Sequence, residues 1–445
     1  MHASDISHRR LSRRRILALA AAAGAAALGG RLPARGTASV EKQTLANGLT
    51  VLVQERPSAD TIALLYTTLA GVRDDGNAPG STVLTSRMLL QGSPRYPSLI
   101  ARQRAATLAG GTIARGSTSE YSNISSVMPA DAAETAFDLV SDAVTNPLFA
   151  PDAFSGQKKV ALQDLAQRHS TPSILIGDLY QQTIFAGQPL GQPPLGTADS
   201  IAAMTLDTLQ ANRARLWGAS NTLVTVVGRI ATADAFDLAN RYFGALPAGT
   251  QNVRQPTQVQ PPSSPQLVQA TAGQQVQLRI GFTSPSLAEP DRYPLAVLTG
   301  MMSGFSGRLL RSLRSELGLV FTPSATYSTF SDAGTWFASV AMDPSNLDQA
   351  MSVTRDELER IRNERADSGE VADAIEAIAG EAILASESNA SVASQLAAQQ
   401  ILGDVSTEEF VRRVQPVSPD DVQRVAQTYL DLNHSLTALV GPAQS

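Results

Sequence analysis

Apolar residues first recur with a period of two. Leu49, Val51 and Val53 follow Asn47-Gly48 in "EKQTLANGLTVLVQERPS", which predicts a hairpin turn entering a strand. "TIALLYTTLAG" (61–71) is mostly apolar instead, the pattern of a buried strand. Helices are predicted over 80–91 and 98–109, followed by a glycine-led, β-branched hairpin, "GGTIARGSTSEYSNISSVMP". Further helices are predicted over 131–145 and 151–169, the second entered through Asn146-Pro147. "GQPLGQPPLGT" (187–197) marks a long loop, "LDTLQANRARLW" a helix and "NTLVTVVG" (221–228) a strand. The Ala-rich stretch 372–402 predicts one long helix whose small residues permit close packing between helices.

Residues 245–266, "ALPAGTQNVRQPTQVQPPSSPQ", hold few large apolar side chains and predict a solvated linker. The parts on either side echo one another. "LDTLQANRARLWGASNTLVTVVGRI" resembles "SPDDVQRVAQTYLDLNHSLTALVGP" (418–442): a polar helix start, an aromatic near the helix end, an Asn, an apolar strand, then Val-Gly. The strand-rich openings 49–71 and 275–284 correspond loosely. The expected fold class is therefore α+β with two homologous lobes. Each is a mostly antiparallel sheet with helices packed on one side, the two joined by the linker and enclosing a chamber. The lobes are expected at 39–244 and 267–445.

With 445 residues the chain exceeds one ordinary core, and 43% hydrophobic with 17% charged residues suits a soluble globular protein. There is no cysteine, which removes disulfides, thiolate metal sites and a cysteine nucleophile. No G-x-S-x-G elbow with a suitable histidine supports serine hydrolase chemistry.

The N-terminus has the layout of a twin-arginine export signal. Ser12-Arg13-Arg14-Arg15-Ile16-Leu17 precedes a short Ala-rich apolar run, and "GTA" at 36–38 suits cleavage after Ala38. An uncleaved anchor or a basic tail is the alternative, although the run is shorter than the ~20 residues a membrane-spanning helix needs. Residues 1–38 are thus read as a signal directing the chain to the periplasm or cell envelope, with no stable membrane insertion after cleavage. Their removal takes away seven arginines and one aspartate and leaves a formal net charge of −11, which argues against a nucleic-acid partner.

Several segments carry a family resemblance. "LANGLTVLV" (45–53), "AGVRDDG" (70–76), "RMLLQGS" (87–93), "GQPPLGTADSIAAMT" (191–205), "NTLVTVVG" (221–228) and "GFSGRLLRSLRSELGLVF" (304–321) occur in the order found in the pitrilysin/insulinase-type zinc metallopeptidases, the inverzincins. The chain resembles that family over nearly all of its length after the signal.

The resemblance implies zinc bound by H-x-x-E-H on the first helix, with the glutamate activating water and a downstream carboxylate completing the ligand set. Aligned on the following Met-Leu-x-x-Gly, the histidine positions carry Val83 and Arg87, and the general-base position carries Ser86. Asp164 stands at the third-ligand position and Gln157 at a supporting acidic one. His2 and His8 fall in the signal, leaving His169 and His434, which form no local pair. No intact catalytic residue and no metal site is expected. Two placements of Arg87 remain open: a salt bridge to Asp164 in the vacated site, or a side chain in solvent.

In the second lobe the resemblance implies an arginine and a tyrosine that hold substrate across the chamber. Arg314 and Phe321 occupy those positions, the phenylalanine without the hydroxyl donor; Tyr327 could replace it only with unusual strand geometry. Arg314 is equally well read as an exposed helical residue near Glu316. The resemblance implies a degenerate, non-catalytic subunit that binds peptides and closes the chamber of a zinc-bearing homologous partner, a heterodimer in which zinc belongs to the partner. The alternative is a stand-alone peptide-binding pseudopeptidase or scaffold. An enzyme of other chemistry lacks a visible reactive constellation.

Overall fold

In the first sheet the strands are β1 (Val40–Thr44), β2 (Thr50–Glu55), β3 (Thr61–Thr68), β4 (Thr112–Ser117), β5 (Ser122–Pro129) and β6 (Thr222–Gly228). Their spatial order is β1-β2-β6-β3-β5-β4, with β2 and β6 parallel and the other neighbours antiparallel. This computed structural model describes residues 39–442 apart from 261, 263–265, 272, 305 and 306. Residues 1–38, read above as an export signal, lie outside the described residues.

The hairpin between β1 and β2 turns at Gly48, with φ at +89°. Asn47 anchors the turn by donating to the carbonyls of Phe243 and Leu246 at 2.9 and 3.0 Å. The helices of this lobe are α1 (Ser81–Leu89), α2 (Leu99–Leu108), α3 (Ala133–Thr145), α4 (Pro151–Ser170), α5 (Pro172–Ile184), α6 (Ala198–Ala203), α7 (Leu206–Leu216) and α8 (Thr232–Phe243).

The second sheet holds β7 (Gln266–Ala270), β8 (Val276–Ser284), β9 (Ser324–Thr329), β10 (Gly334–Met342) and β11 (Leu436–Gly441), in the order β7-β11-β8-β10-β9. Here β7 and β11 are the parallel pair. Its helices are α9 (Arg292–Met302), a π-helical turn (Leu310–Glu316), α10 (Leu347–Asn363), α11 (Ser368–Leu384), α12 (Asn389–Leu402), α13 (Thr407–Val414) and α14 (Pro419–Tyr429). Strands β2 to β6 correspond one for one to β7 to β11, parallel pair included. The expected two-lobed α+β fold is present, and its topology is that of an internal duplication. Among the described residues no helix is long and apolar enough to cross a membrane.

Each lobe lends one helix to the other. The second face of the first sheet presents Leu52, Ala63, Leu65, Leu223 and Val227, and α12 of the second lobe covers it with Ala393, Leu396 and Ala397. Reciprocally, α5 of the first lobe lays Leu175 and Ile176 on Ala438 and Val440 of β11. This explains why β3 and β6 are apolar at consecutive positions: Ile62, Leu64 and Tyr66 face their own helices, while Ala63 and Leu65 face the borrowed one. Fully burying each large side chain there contributes about 1.5–3 kcal/mol.

Polar contacts fix both borrowed helices. Asn389 at the start of α12 donates to the Thr61 carbonyl at 2.9 Å and accepts from Arg56 at 2.9 Å. Tyr180 of α5 lies so close to β8 that a Cβ on Gly281 would fall 2.3 Å from its hydroxyl oxygen. Only glycine leaves room there. The Ala-rich stretch is thus two helices, interrupted between Leu384 and Asn389, where Ser388 accepts from the Ser391 amide and caps α12. Its small residues serve helix-on-sheet contact across the lobes as well as helix–helix contact.

Candidate functional site

The loop 71–80 builds the entry to α1. The buried carboxylate of Asp75 accepts from the amides of Gly80 and Thr82, both at 2.7 Å, and from the Ser81 hydroxyl at 2.9 Å. Burial pushes the Asp75 pKa up, against these hydrogen bonds. Gly80 sits at φ +90°, and a Cβ there would meet the Leu195 carbonyl oxygen at 2.5 Å. The Pro-Gly loop before α6 therefore lies directly on the start of α1, and Ser200 donates to the Pro79 carbonyl at 2.9 Å. Every residue of α1 is buried.

Arg87 turns toward α4 and not to solvent. Its Nη2 donates to Asp164 Oδ2 at 2.6 Å. The guanidinium is almost fully buried, while the Asp164 carboxylate keeps 41% of its exposure. Val83 and Ser86 are buried on the same helix, and Ser86 Oγ, Arg87 Nε and Arg87 Nη1 have no hydrogen-bond partner among the described residues. Arg115 of β4 joins this neighbourhood. Its side chain is exposed, yet desolvation and then the Arg87 charge pull its pKa down to about 10, with Asp164 opposing.

These residues do not fit a zinc ion. Zinc takes imidazole, thiolate or carboxylate donors, whereas a guanidinium offers only N–H groups and no lone pair. The carboxylate at the third-ligand position, Asp164, is engaged by Arg87. Among the described residues no group of three or more His, Cys, Asp or Glu could hold a metal ion. His169 is exposed near the end of α4, and His434 is exposed and bonded to Asp431 at 2.9 Å. Gln157 is half-buried on α4.

Arg314 and Phe321 lie in the second lobe. Arg314 sits on the π-helical turn, exposed, with no side-chain hydrogen bond or ion pair among the described residues. Phe321 is 47% exposed. Tyr327, on β9, packs against the core of the second lobe, and burial pushes its pKa up.

A charged cluster between the lobes was not visible as such in the sequence. Arg73 is buried, pairs with Glu120 at 2.8 Å and donates to both oxygens of Asp332 at 2.9 Å. Arg254 pairs with Asp74, its Nε 2.9 Å from Oδ1. Thr257 donates its amide to Asp332 at 2.8 Å, and the Ser331 amide donates to Glu120 at 2.9 Å. The stretch 252–257 is therefore held between the lobes instead of solvated throughout, although Val253 stays exposed. Burial would lower the Arg73 pKa, but the hydrogen bond and charge of Asp332 and the charge of Glu120 raise it overall. Burial likewise acts to raise the Asp332 carboxyl, yet Arg73 and the Thr257 amide bring it below its ordinary value. The available signal was "VRDDG", a charge run inside an apolar frame.

Residues 50–198 match the family model described as Insulinase (Peptidase family M16), and residues 203–378 match Peptidase M16 inactive domain. An uncharacterised zinc protease of Streptomyces coelicolor is 24% identical over 420 residues, covering 92% of this chain and 90% of the relative. One of Mycobacterium tuberculosis is 25% identical over 416 residues, covering 90% and 93%. Among solved structures, a peptidase M16 inactive domain from Pseudomonas fluorescens matches with a TM-score of 0.82 at 22% identity, over 92% of this chain and 98% of that one. A protease from Helicobacter pylori matches with a TM-score of 0.84 at 16% identity, over 91% and 100%. With the two family models together matching 50–198 and 203–378 and the relatives aligned nearly end to end, the chain belongs to peptidase family M16, as a degenerate member whose first helix carries Arg87 bonded to Asp164.

Proposed function

We propose that this chain is the non-catalytic subunit of an exported zinc peptidase assembly. It binds peptide substrate and closes the chamber of a homologous partner that bears H-x-x-E-H and the zinc. The observation that carries this reading is the Arg87–Asp164 pair: a helix with the family's framing holds an ion pair where the chemistry would need metal ligands. The match of residues 203–378 to an M16 inactive domain supports a peptidase-like, non-catalytic role. Arg314, exposed and without a partner among the described residues, is available to a substrate backbone in such an assembly. The twin-arginine layout supports a location in the periplasm or envelope.

The test is a pull-down of the tagged chain from envelope extract of its own cells, with bound proteins identified by mass spectrometry. A stoichiometric homologue carrying H-x-x-E-H is the expected result. Recovery of the chain alone, as monomer or homodimer, overturns the assembly and leaves a stand-alone peptide-binding pseudopeptidase.

A further inference from the structure

The strand correspondence between the lobes carries to single residues. Val83-Leu84-Thr85 of α1 and Val297-Leu298-Thr299 of α9 are the same tripeptide on corresponding helices, so Ser86 and Arg87 correspond to Gly300 and Met301. Asp164 is the fourteenth residue of α4, and Glu381 is the fourteenth of α11. Arg115 pairs across to Ile124, and Tyr327 pairs across to Trp336, each strand closing its sheet. The second lobe therefore contains a counterpart of the degenerate site.

That counterpart is open. Gly300, Met301, Tyr327 and Glu381 all line one cavity of about 1160 Å³ between α9, α11 and β9. Replacing an arginine by methionine and a serine by glycine at these positions removes the ion pair that fills the first lobe. The wall formed by α11 carries Asp373 and Glu381, with Ala374, Ala377 and Ile378 between them. The two acids lie eight residues apart, about 12 Å along the helix. Both are exposed, and neither side chain has a partner among the described residues. The other cavity acids are engaged: Glu370 by Arg308 at 2.7 Å, and Asp367 by the Gly369 amide at 2.8 Å. The hydroxyl of Tyr327 has no hydrogen-bond partner among the described residues either.

An extended ligand fits this arrangement. β9 ends the sheet, and no strand pairs with its outer edge among the described residues. Ala325 and Tyr327, alternate residues of β9, face the cavity, so a strand added to that edge would send alternate side chains the same way. Arg311 also lines the cavity, but Asp373 and Glu381, without partners among the described residues, leave the lining net negative toward a cationic side chain on such a strand, whose apolar neighbours meet Met301, Ile378 and Tyr327.

We propose that the second lobe binds a peptide in extended form along the outer edge of β9, with a lysine or arginine side chain delivered into the cavity to Asp373 or Glu381. This rests on the peptide-binding part of the function proposed above and adds its location and charge preference.

The test uses the full chain and two fluorescein-labelled octapeptides, one with a central arginine flanked by valines, the other with glutamate in its place, followed by anisotropy. The arginine peptide is expected to bind and the glutamate peptide not to. Ala377→Trp, at an exposed position on the wall, should weaken the arginine peptide by about tenfold or more. Asp373→Lys with Glu381→Lys should abolish its binding and admit the glutamate peptide. Unchanged circular dichroism and melting verify that the variants fold. Equal binding of the arginine peptide to all three proteins overturns this site while leaving peptide binding elsewhere on the chain. No binding of either peptide to the wild-type chain overturns it also, while recruitment of the zinc-bearing homologue is read separately in the pull-down.

Discussion

Arg87 on α1 and Asp164 on α4 meet at 2.6 Å where family M16 framing would place metal ligands. The pair joins two helices, and its partners are unequally buried, so losing one member does not mirror losing the other. Asp164→Ala leaves a buried guanidinium facing Arg115 without compensation, and should cost about 1–3 kcal/mol in urea denaturation. Replacing both residues by methionine should recover part of that loss, since it removes the uncompensated buried guanidinium. A double variant no more stable than Asp164→Ala would show that the pair does not act as a unit.

Restoring the family motif should not restore chemistry. Val83→His, Ser86→Glu and Arg87→His together place larger or polar groups on a helix whose every residue is buried, and Asp164 remains shorter than the usual glutamate. The triple variant is expected to show weak zinc binding in equilibrium dialysis and no robust zinc-dependent cleavage of a quenched fluorogenic peptide. Robust cleavage would mean that the site is better preserved than the geometry indicates.

The contact between the lobes should weaken in acid. The Asp332 pKa is lowered in the folded chain, so its contribution is complete above the ordinary carboxylate value near 4 and is lost as pH falls through the folded value. At pH 7 Asp332→Asn should reduce stability by about 2 kcal/mol. The gap to the wild type should narrow toward pH 3. A gap independent of pH would remove Asp332 from the acid response.

Within the proposed assembly, Arg314→Ala should reduce peptide turnover while leaving the two chains associated. Size-exclusion chromatography and a cleavage assay on the same sample separate the two effects. Turnover equal to wild type would make Arg314 an ordinary exposed residue.

The halves should complement one another in trans. Residues 39–258 alone would expose Leu52, Leu65, Leu223 and Val227, which α12 covers in the whole chain. That fragment is expected to bind a hydrophobic dye, and co-expression with residues 259–445 should abolish the signal. A fragment that stays soluble and dye-silent alone would show that the borrowed helix is dispensable.

Much of this fold was legible because turn residues and apolar spacing mark the elements locally. Asn47-Gly48, Pro79-Gly80 and the 187–197 loop all fall where the chain turns. "TIALLYTTLAG" announced burial on both faces, but nothing local could say that a helix some 330 residues later supplies the second cover. The Ala-rich stretch showed small residues and not the break before Asn389, because the capping Ser388 is one of three serines in the short run "SESNAS" (386–391). At the site, the replaced positions were readable by alignment, and the chain supplied the rest: a direct Arg87–Asp164 bond, with Arg115 beside it. Arg73, Glu120 and Asp332 are far apart in sequence and invisible to periodicity.

The exchange of helices also sets a timetable. During synthesis, β6 of the first sheet leaves the ribosome 174 residues before the end of α12, an interval on the order of 10 s at ordinary elongation rates. Throughout it the nascent first lobe carries an apolar face with nothing of its own to cover it, while α5 awaits strands not yet made. The last strand to appear, β11, occupies an interior position in its sheet. A chain that stops at residue 435 would thus lose an interior strand of the second sheet, and with it the surface on which α5 rests.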